Sequence, residues 1–181
     1  MKKLISLALI VFVLCGALCS CNDVQDEKII TDIKAYESIW DLSERRIGDY
    51  SDLFPKKVEN KQVIKFNCIH STYYFIGTGW QVELEIKYDD NSFSTEENRL
   101  KNVCKDSVIC GNSNYFDCPH FASVWNWNSC YEYAVVNETD NTIGYIYLQL
   151  IDKEDLKISK KYVPNQYEVE MQNSKSYTIY S

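Results

Sequence analysis

Two Cys-x-His pairs, Cys68-Ile69-His70 and Cys118-Pro119-His120, contain both histidines of this chain. On a strand, residues two apart point to the same side, so each pair could offer a sulfur and an imidazole, and two pairs would complete a tetrahedral zinc site. The two-to-four-residue spacing between cysteines of familiar zinc sites is missing. The competing reading makes Cys68 a core thiol or a disulfide partner and puts both histidines at strand or loop ends. The same residues could also serve as a thiol nucleophile and its base, with Asp117 as orienter, but near-adjacent residues seldom reach that geometry. Glu83 and Glu85 form a second candidate: on one face of a strand they lie about 6.6–7 Å apart, a separation at which flanking carboxylates can hydrolyse a glycoside. Alternating charge on a solvated strand is the simpler explanation.

Trp125-Asn126-Trp127-Asn128, in a chain with 4 Trp and 14 Tyr, would place two indoles on one face and two amides on the other if extended. That arrangement suits a sugar or a peptide, although large aromatics more often fill a core. Gly77-Thr78-Gly79 lacks the third glycine of a dinucleotide loop and precedes a strand instead of following one. Gly111-Asn112-Ser113-Asn114-Tyr115 lacks the second glycine of a nucleophile elbow. No catalytic, cofactor or metal residue is assigned on these patterns.

The elements that must position these residues are legible in the apolar spacing. From Trp80 to Tyr88 the chain alternates strictly, with Trp80, Val82, Leu84, Ile86 and Tyr88 one way and Gln81, Glu83, Glu85 and Lys87 the other. This predicts a strand with one wet face. Gln62 to Ile69 alternates similarly, with Ile64, Phe66 and Cys68 together. Ile33, Tyr36, Ile39 or Trp40, and Ile47 fall near helical spacing, so a short amphipathic helix is expected between Ile29 and Tyr50. Pro55 stops it by excluding helical geometry at Phe54. Ser94 and Glu97 match a capping box for a helix from Thr95 to Cys104. Tyr131–Val136 and Thr142–Ile151 read as a hairpin around Asn137–Asn141, and Gln166–Gln172 with Ser176–Tyr180 as a last one. The sum is an α+β domain: an antiparallel sheet of about five to seven strands covered by one or two short helices.

Ahead of the domain, Lys2 and Lys3 precede the uncharged run Leu4–Leu14, the pattern of an export signal. The residues that follow, Leu18-Cys19-Ser20-Cys21, resemble the lipobox of bacterial lipoproteins, with an aliphatic residue at minus 3 and a small one at minus 1. Cys19 at minus 2 departs from the usual Ala, Ser, Thr or Val. The resemblance implies a diacylglyceryl group on the Cys21 sulfur, cleavage before Cys21, and location at the cell membrane on its extracytoplasmic face. Two or three acyl chains, at about 0.8 kcal/mol per buried methylene, anchor a protein without a transmembrane helix. The organisation expected is therefore a signal peptide over residues 1–20, a lipidated cysteine and polar tether over 21–28, and one domain over 29–181. Through Tyr50-Ser51-Asp52-Leu53-Phe54-Pro55 and the Trp80 strand, the domain resembles small lipoproteins of gut-type Firmicutes, which implies no activity.

Cleavage before Cys21 would remove Lys2 and Lys3 from the 19 basic residues, leaving 17 against 26 acidic ones and a net charge of −9. Such a surface disfavours nucleic acid and anionic bilayers. Cys68, Cys104, Cys110, Cys118 and Cys130 remain in the domain; the count is odd, so at least one stays outside any intrachain pairing. Which cysteines pair is left open. The function expected is a non-catalytic binding or envelope-associated domain held to the membrane through Cys21, with no cofactor. The alternatives are an extracytoplasmic hydrolase or metal-dependent enzyme, and a carbohydrate-binding module.

Overall fold

The alternating run from Trp80 onward forms a long strand, and the rest of the molecule is arranged on its two sides. A computed structural model describes residues 24–42, 53–58, 61–73, 77–105, 120–125, 130–151 and 153–164. Six strands, β1 (Val24–Ile30), β2 (Gln62–Tyr73), β3 (Gly77–Lys87), β4 (His120–Trp125), β5 (Cys130–Asn137) and β6 (Thr142–Gln149), pair in the order β1-β2-β3-β6-β5-β4. All neighbouring pairs are antiparallel. Two helices, α1 (Tyr36–Leu42) and α2 (Asp90–Lys105), complete an α+β fold. Among the described residues no helix is long and apolar enough to cross a membrane.

One face of the sheet carries the main core. Val82, Leu84 and Ile86 of β3 join Phe66 and Cys68 of β2, Ala134 and Val136 of β5, and Ile143, Tyr145 and Tyr147 of β6. Tyr36 and Ile39 of α1, Phe93 and Leu100 of α2, and Leu53 and Phe54 between the helices close over them. An edge-to-face contact from Tyr36 to Phe66 of β2, with ring centroids 5.8 Å apart, holds α1 on this layer. The alternation predicts Ile64 on the same face as Phe66 and Cys68, but Ile64 is exposed while those two are buried. The β2–β3 register shifts between Val63 and Lys65, and Ile64 is left exposed at the bulge.

The other face was expected to be wet, and it is not. Residues 153–164 return across it with two short 3-10 turns, Lys153–Asp155 and Lys160–Tyr162. Ile158 and Tyr162 pack there against Tyr131, Tyr133, Val135, Ile146 and Leu148. This strap follows β3 in step. Lys157 N donates to Gln81 Oε1 at 2.7 Å, Ser159 N donates to Glu83 Oε2 at 3.0 Å, and Lys161 Nζ donates to Glu85 Oε1 at 2.7 Å. Each step of two residues on β3 is matched by two on the strap, so polar side chains take the place of a backbone ladder. Gln81, Glu83 and Glu85 are consequently buried, Glu83 completely.

Two boundaries also move. Val24–Lys28, expected as tether, belongs to β1, which pairs with β2 from Val24↔Tyr73 to Ile30↔Cys68. Its polar sequence reflects an edge position, where side chains stay in water. The long helix starts at Asp90 rather than Thr95, because Asp89 outcompetes Ser94 as the cap. Asp89 Oδ1 accepts from Asn91 N at 3.1 Å and Ser92 N at 2.9 Å, and Phe93 N donates to Asp89 O at 2.8 Å. Ser94 lies inside the helix and its hydroxyl donates back to Asp90 O. Of the N-terminal helix, Ile33–Ala35 is a 3-10 turn leading into α1; Ile47 and the expected hairpin of residues 166–180 lie outside the described residues.

Candidate functional site

The β5–β6 turn and the start of α2 meet at the end of the sheet where β2 begins and β3 ends. Tyr88 N donates to Asn141 O at 2.9 Å, and Asn141 Nδ2 donates to Asp90 Oδ1 at 2.6 Å. Asn141 reaches both partners from the left-handed region, with φ of 54°, a conformation Asn tolerates. Beside this junction opens a cleft of about 670 Å³, lined by Lys61, Lys87, Tyr88, Ser92, Thr95 and Glu96 among others.

Its floor is a buried polar relay. Tyr88 OH and Tyr145 OH are 2.7 Å apart, Tyr145 OH donates to Glu96 Oε1 at 2.7 Å, and Arg99 grips Glu96 through Nε at 3.0 Å and Nη2 at 2.8 Å. Arg99 Nη2 also donates to Leu53 O, and Leu53 N donates to Glu132 Oε1 at 3.0 Å. The relay thus joins the β3–α2 junction at Tyr88, β6, α2, the 53–58 segment and β5.

Charge in this relay is fixed at neutral pH. Burial works against ionisation of Glu96, but hydrogen bonds from Arg99 and Tyr145 and the guanidinium charge outweigh it and hold the carboxyl below its usual range. Burial opposes the Arg99 cation too, and Glu96 reverses the balance upward. Burial, with the nearby acid, pushes both tyrosines far above theirs. The relay therefore holds structure around the cleft. Lys61 Nζ sits 4.9 Å from the Tyr88 ring centroid, a cation–π contact. Among the described residues neither Lys61 nor Lys87 has an ion-pair partner.

The residues singled out by their chemistry are dispersed. Cys68 is a free, fully buried thiol in the main core, and burial pushes its pKa up to about 12. His70 instead stacks on Trp80, ring centroids 4.2 Å apart. Burial pushes its pKa down, with Lys28 adding to the effect. His70 lies on β2 and His120 on β4, four strand spacings or about 19 Å apart by spacing alone. At that separation His70 and His120 do not reach one metal ion. Among the described residues no group of three or more His, Cys, Asp or Glu side chains could hold one. Glu83 and Glu85 do share a face, yet the strap covers them and cations neutralise them: Lys65 Nζ of β2 is 2.8 Å from Glu83 and Lys161 Nζ of the strap 2.7 Å from Glu85. Trp125 ends β4 opposite Cys130; Trp127, Cys118 and Asp117 lie outside the described residues, as do Cys21 and the leader.

Sequence reasoning missed the Glu96 relay, although a signal was present. Phe93, Glu96, Leu100 and Val103 fall on one helical stripe, and a carboxylate inside an apolar stripe with Arg99 three residues on marks a buried ion pair.

The class defined here is an α+β domain whose antiparallel sheet is covered on one face by helices and on the other by a strap. No family model, curated protein or solved structure matches the chain.

Proposed function

We propose that this chain is an extracytoplasmic lipoprotein, cut before Cys21 and held at the cell membrane by acyl chains on that residue, and that its domain binds a ligand without catalysing a reaction. The observation that carries the anchoring is the lipobox-like Leu18-Cys19-Ser20-Cys21 after a charged and then apolar leader. Support for a binding role comes from the cleft beside α2. Its two acidic residues are engaged within the protein, Asp89 as helix cap and Glu96 in the relay, while Lys87 is exposed and Lys61, partly exposed over the Tyr88 ring, has no carboxylate partner among the described residues. A ligand bearing a carboxylate or phosphate matches that balance. The non-catalytic reading rests on the dispersal of the described candidates: Cys68 in the core, His70 on β2, His120 on β4, and Glu83 and Glu85 on β3 beneath the strap.

The experiment is fractionation and intact mass of the full chain and its Cys21→Ser variant. The wild-type product is expected in the membrane fraction, shortened by residues 1–20 and heavier by its acyl groups. The variant should be neither acylated nor cut at that position. Membrane retention and processing of the variant identical to wild type would refute the anchor.

A further inference from the structure

The anchoring reading leaves open which side of the domain meets the bilayer, and the sheet register carries an answer. Cys21 is three residues before Val24, the first residue of β1. Three residues span at most about 11 Å, so a lipid on Cys21 keeps the start of β1 within that distance of the acylated sulfur at the membrane surface. Val24 pairs with Tyr73, and Tyr73 with Gly77, so the start of β1 lies at the end of the sheet where β2 turns into β3.

Three register rows inward, about 10 Å along β2 at about 3.3 Å per residue, Lys28, His70, Trp80, Gln149, Cys130 and Trp125 run side by side across the six described strands. The row carries half-buried Trp80, packed on His70 with ring centroids 4.2 Å apart, and Trp is a residue type that settles at membrane interfaces; Trp125 stands at the far end of the same row. The cleft is at the other end. Gln62 pairs with Lys87, and Lys87 with Thr142; β2, at about 3.3 Å per residue over 12 residues, separates the two ends by about 35 Å.

We propose that the sheet end bearing Val24, Tyr73, Gly77 and the Trp80 row faces the lipid surface, and that the Lys61–Lys87 cleft is thereby held outward. The occupant of this end is the bilayer that carries the Cys21 acyl chains, so the proposal rests on the lipoprotein reading. A body with a net charge of −9 after cleavage also resists lying flat on an anionic leaflet.

The test uses lysines as reporters, because Lys28 and Lys87 are both exposed and sit at opposite ends. Full-length lipidated protein is incorporated into phosphatidylcholine–phosphatidylglycerol vesicles, acetylated with a membrane-impermeant amine reagent, and digested for mass spectrometry. Cys21→Ser protein mixed with the same vesicles is the reference. Acetylation of Lys28 should fall several-fold on vesicles, while Lys61 and Lys87 react as in the reference. Protection of Lys61 and Lys87 with Lys28 open, or equal reactivity at all three, would overturn the orientation. Flotation of the same samples separates the two readings: wild type that floats with an unprotected Lys28 refutes only the orientation, and wild type that fails to float refutes the anchor as well.

Discussion

At the scale of single residues, the groups with the clearest energetic roles are those whose charge is buried. Glu96 is 8% and Arg99 34% exposed in the pair, so the ion pair is partly screened on the Arg side only. Removing the carboxylate charge leaves a half-buried guanidinium without its counter-ion, and the amide that replaces it keeps one acceptor oxygen where Arg99 and Tyr145 use two. Breaking a fully buried pair costs about 3–5 kcal/mol; with one partner a third exposed, Glu96→Gln is expected to cost about 2 kcal/mol. Tyr145→Phe removes the hydrogen bond to the Glu96 carboxylate and the one shared with the buried Tyr88 hydroxyl, and should cost about 2–3 kcal/mol. Urea unfolding of both variants at neutral pH measures this, and a Glu96→Gln midpoint equal to wild type would contradict the relay.

His70 gives the molecule a pH signature in a separate window. Burial disfavours its cation in the folded state, Lys28 adds to that, and Asp26 opposes it; the balance is a lowered pKa. In the unfolded chain the imidazole takes up its proton near pH 6.5. The unfolded state therefore binds more protons just below that pH, and stability falls as pH drops through about 6.5. Glu96, also lowered, adds a further loss as pH falls below the ordinary carboxylate range. Comparing unfolding free energies from pH 8 to 5, His70→Gln should flatten the upper part of the wild-type slope. An unchanged slope would show that His70 does not titrate differently on folding.

At the scale of elements, β3 shows what periodicity reveals and what it conceals. Its strict alternation identified the strand and the residues of its apolar face, Val82, Leu84 and Ile86. The same pattern made Gln81, Glu83 and Glu85 look solvated, because a polar side chain facing water and one facing a chain of hydrogen-bond partners are identical in sequence. Only the return of residues 153–164 distinguishes them, and that contact bridges 76 positions. The helix start was misplaced for a local reason: two acceptable caps, Asp89 and Ser94, lie within one and a half turns, and the tie is broken by the β3–α2 junction. The cleft was illegible since its walls come from β2, β3 and α2. The strap also explains Gly144 of β6. A Cβ there would lie 2.2 Å from Cζ of Tyr162, so the ring uses the space that glycine leaves. Gly144→Ala should cost about 1–3 kcal/mol through overpacking, and less in a Tyr162→Ala background. A double-mutant cycle by urea unfolding checks this; full additivity would mean that the ring does not pack on Gly144.

At the scale of the whole molecule, the two coverings of the sheet are held by different means, and this sets the order in which the structure opens. On the helix face, aromatic and aliphatic side chains from α1, α2 and the 53–58 segment interlock with four strands. On the opposite face, the strap is attached through Gln81, Glu83 and Glu85, a 2.6 Å hydrogen bond from Tyr133 OH to Tyr162 O, and the smaller cluster around Ile158 and Tyr162. Side-chain acceptors can let go of the Lys157 and Ser159 amides without breaking any pairing between strands, so the strap constitutes a separable unit of lower local stability. In native-state hydrogen exchange, the Lys157 and Ser159 amides should exchange before those of β3 and β6. Glu83→Gln weakens the acceptor for Ser159 and removes the charge opposite Lys65, so it should speed exchange along the strap while leaving the central strands protected. Loss of protection in both at one rate would mean that the strap and sheet open as a single unit. The Glu83 carboxylate would then act as a structural element of the core rather than as the clasp of a covering segment.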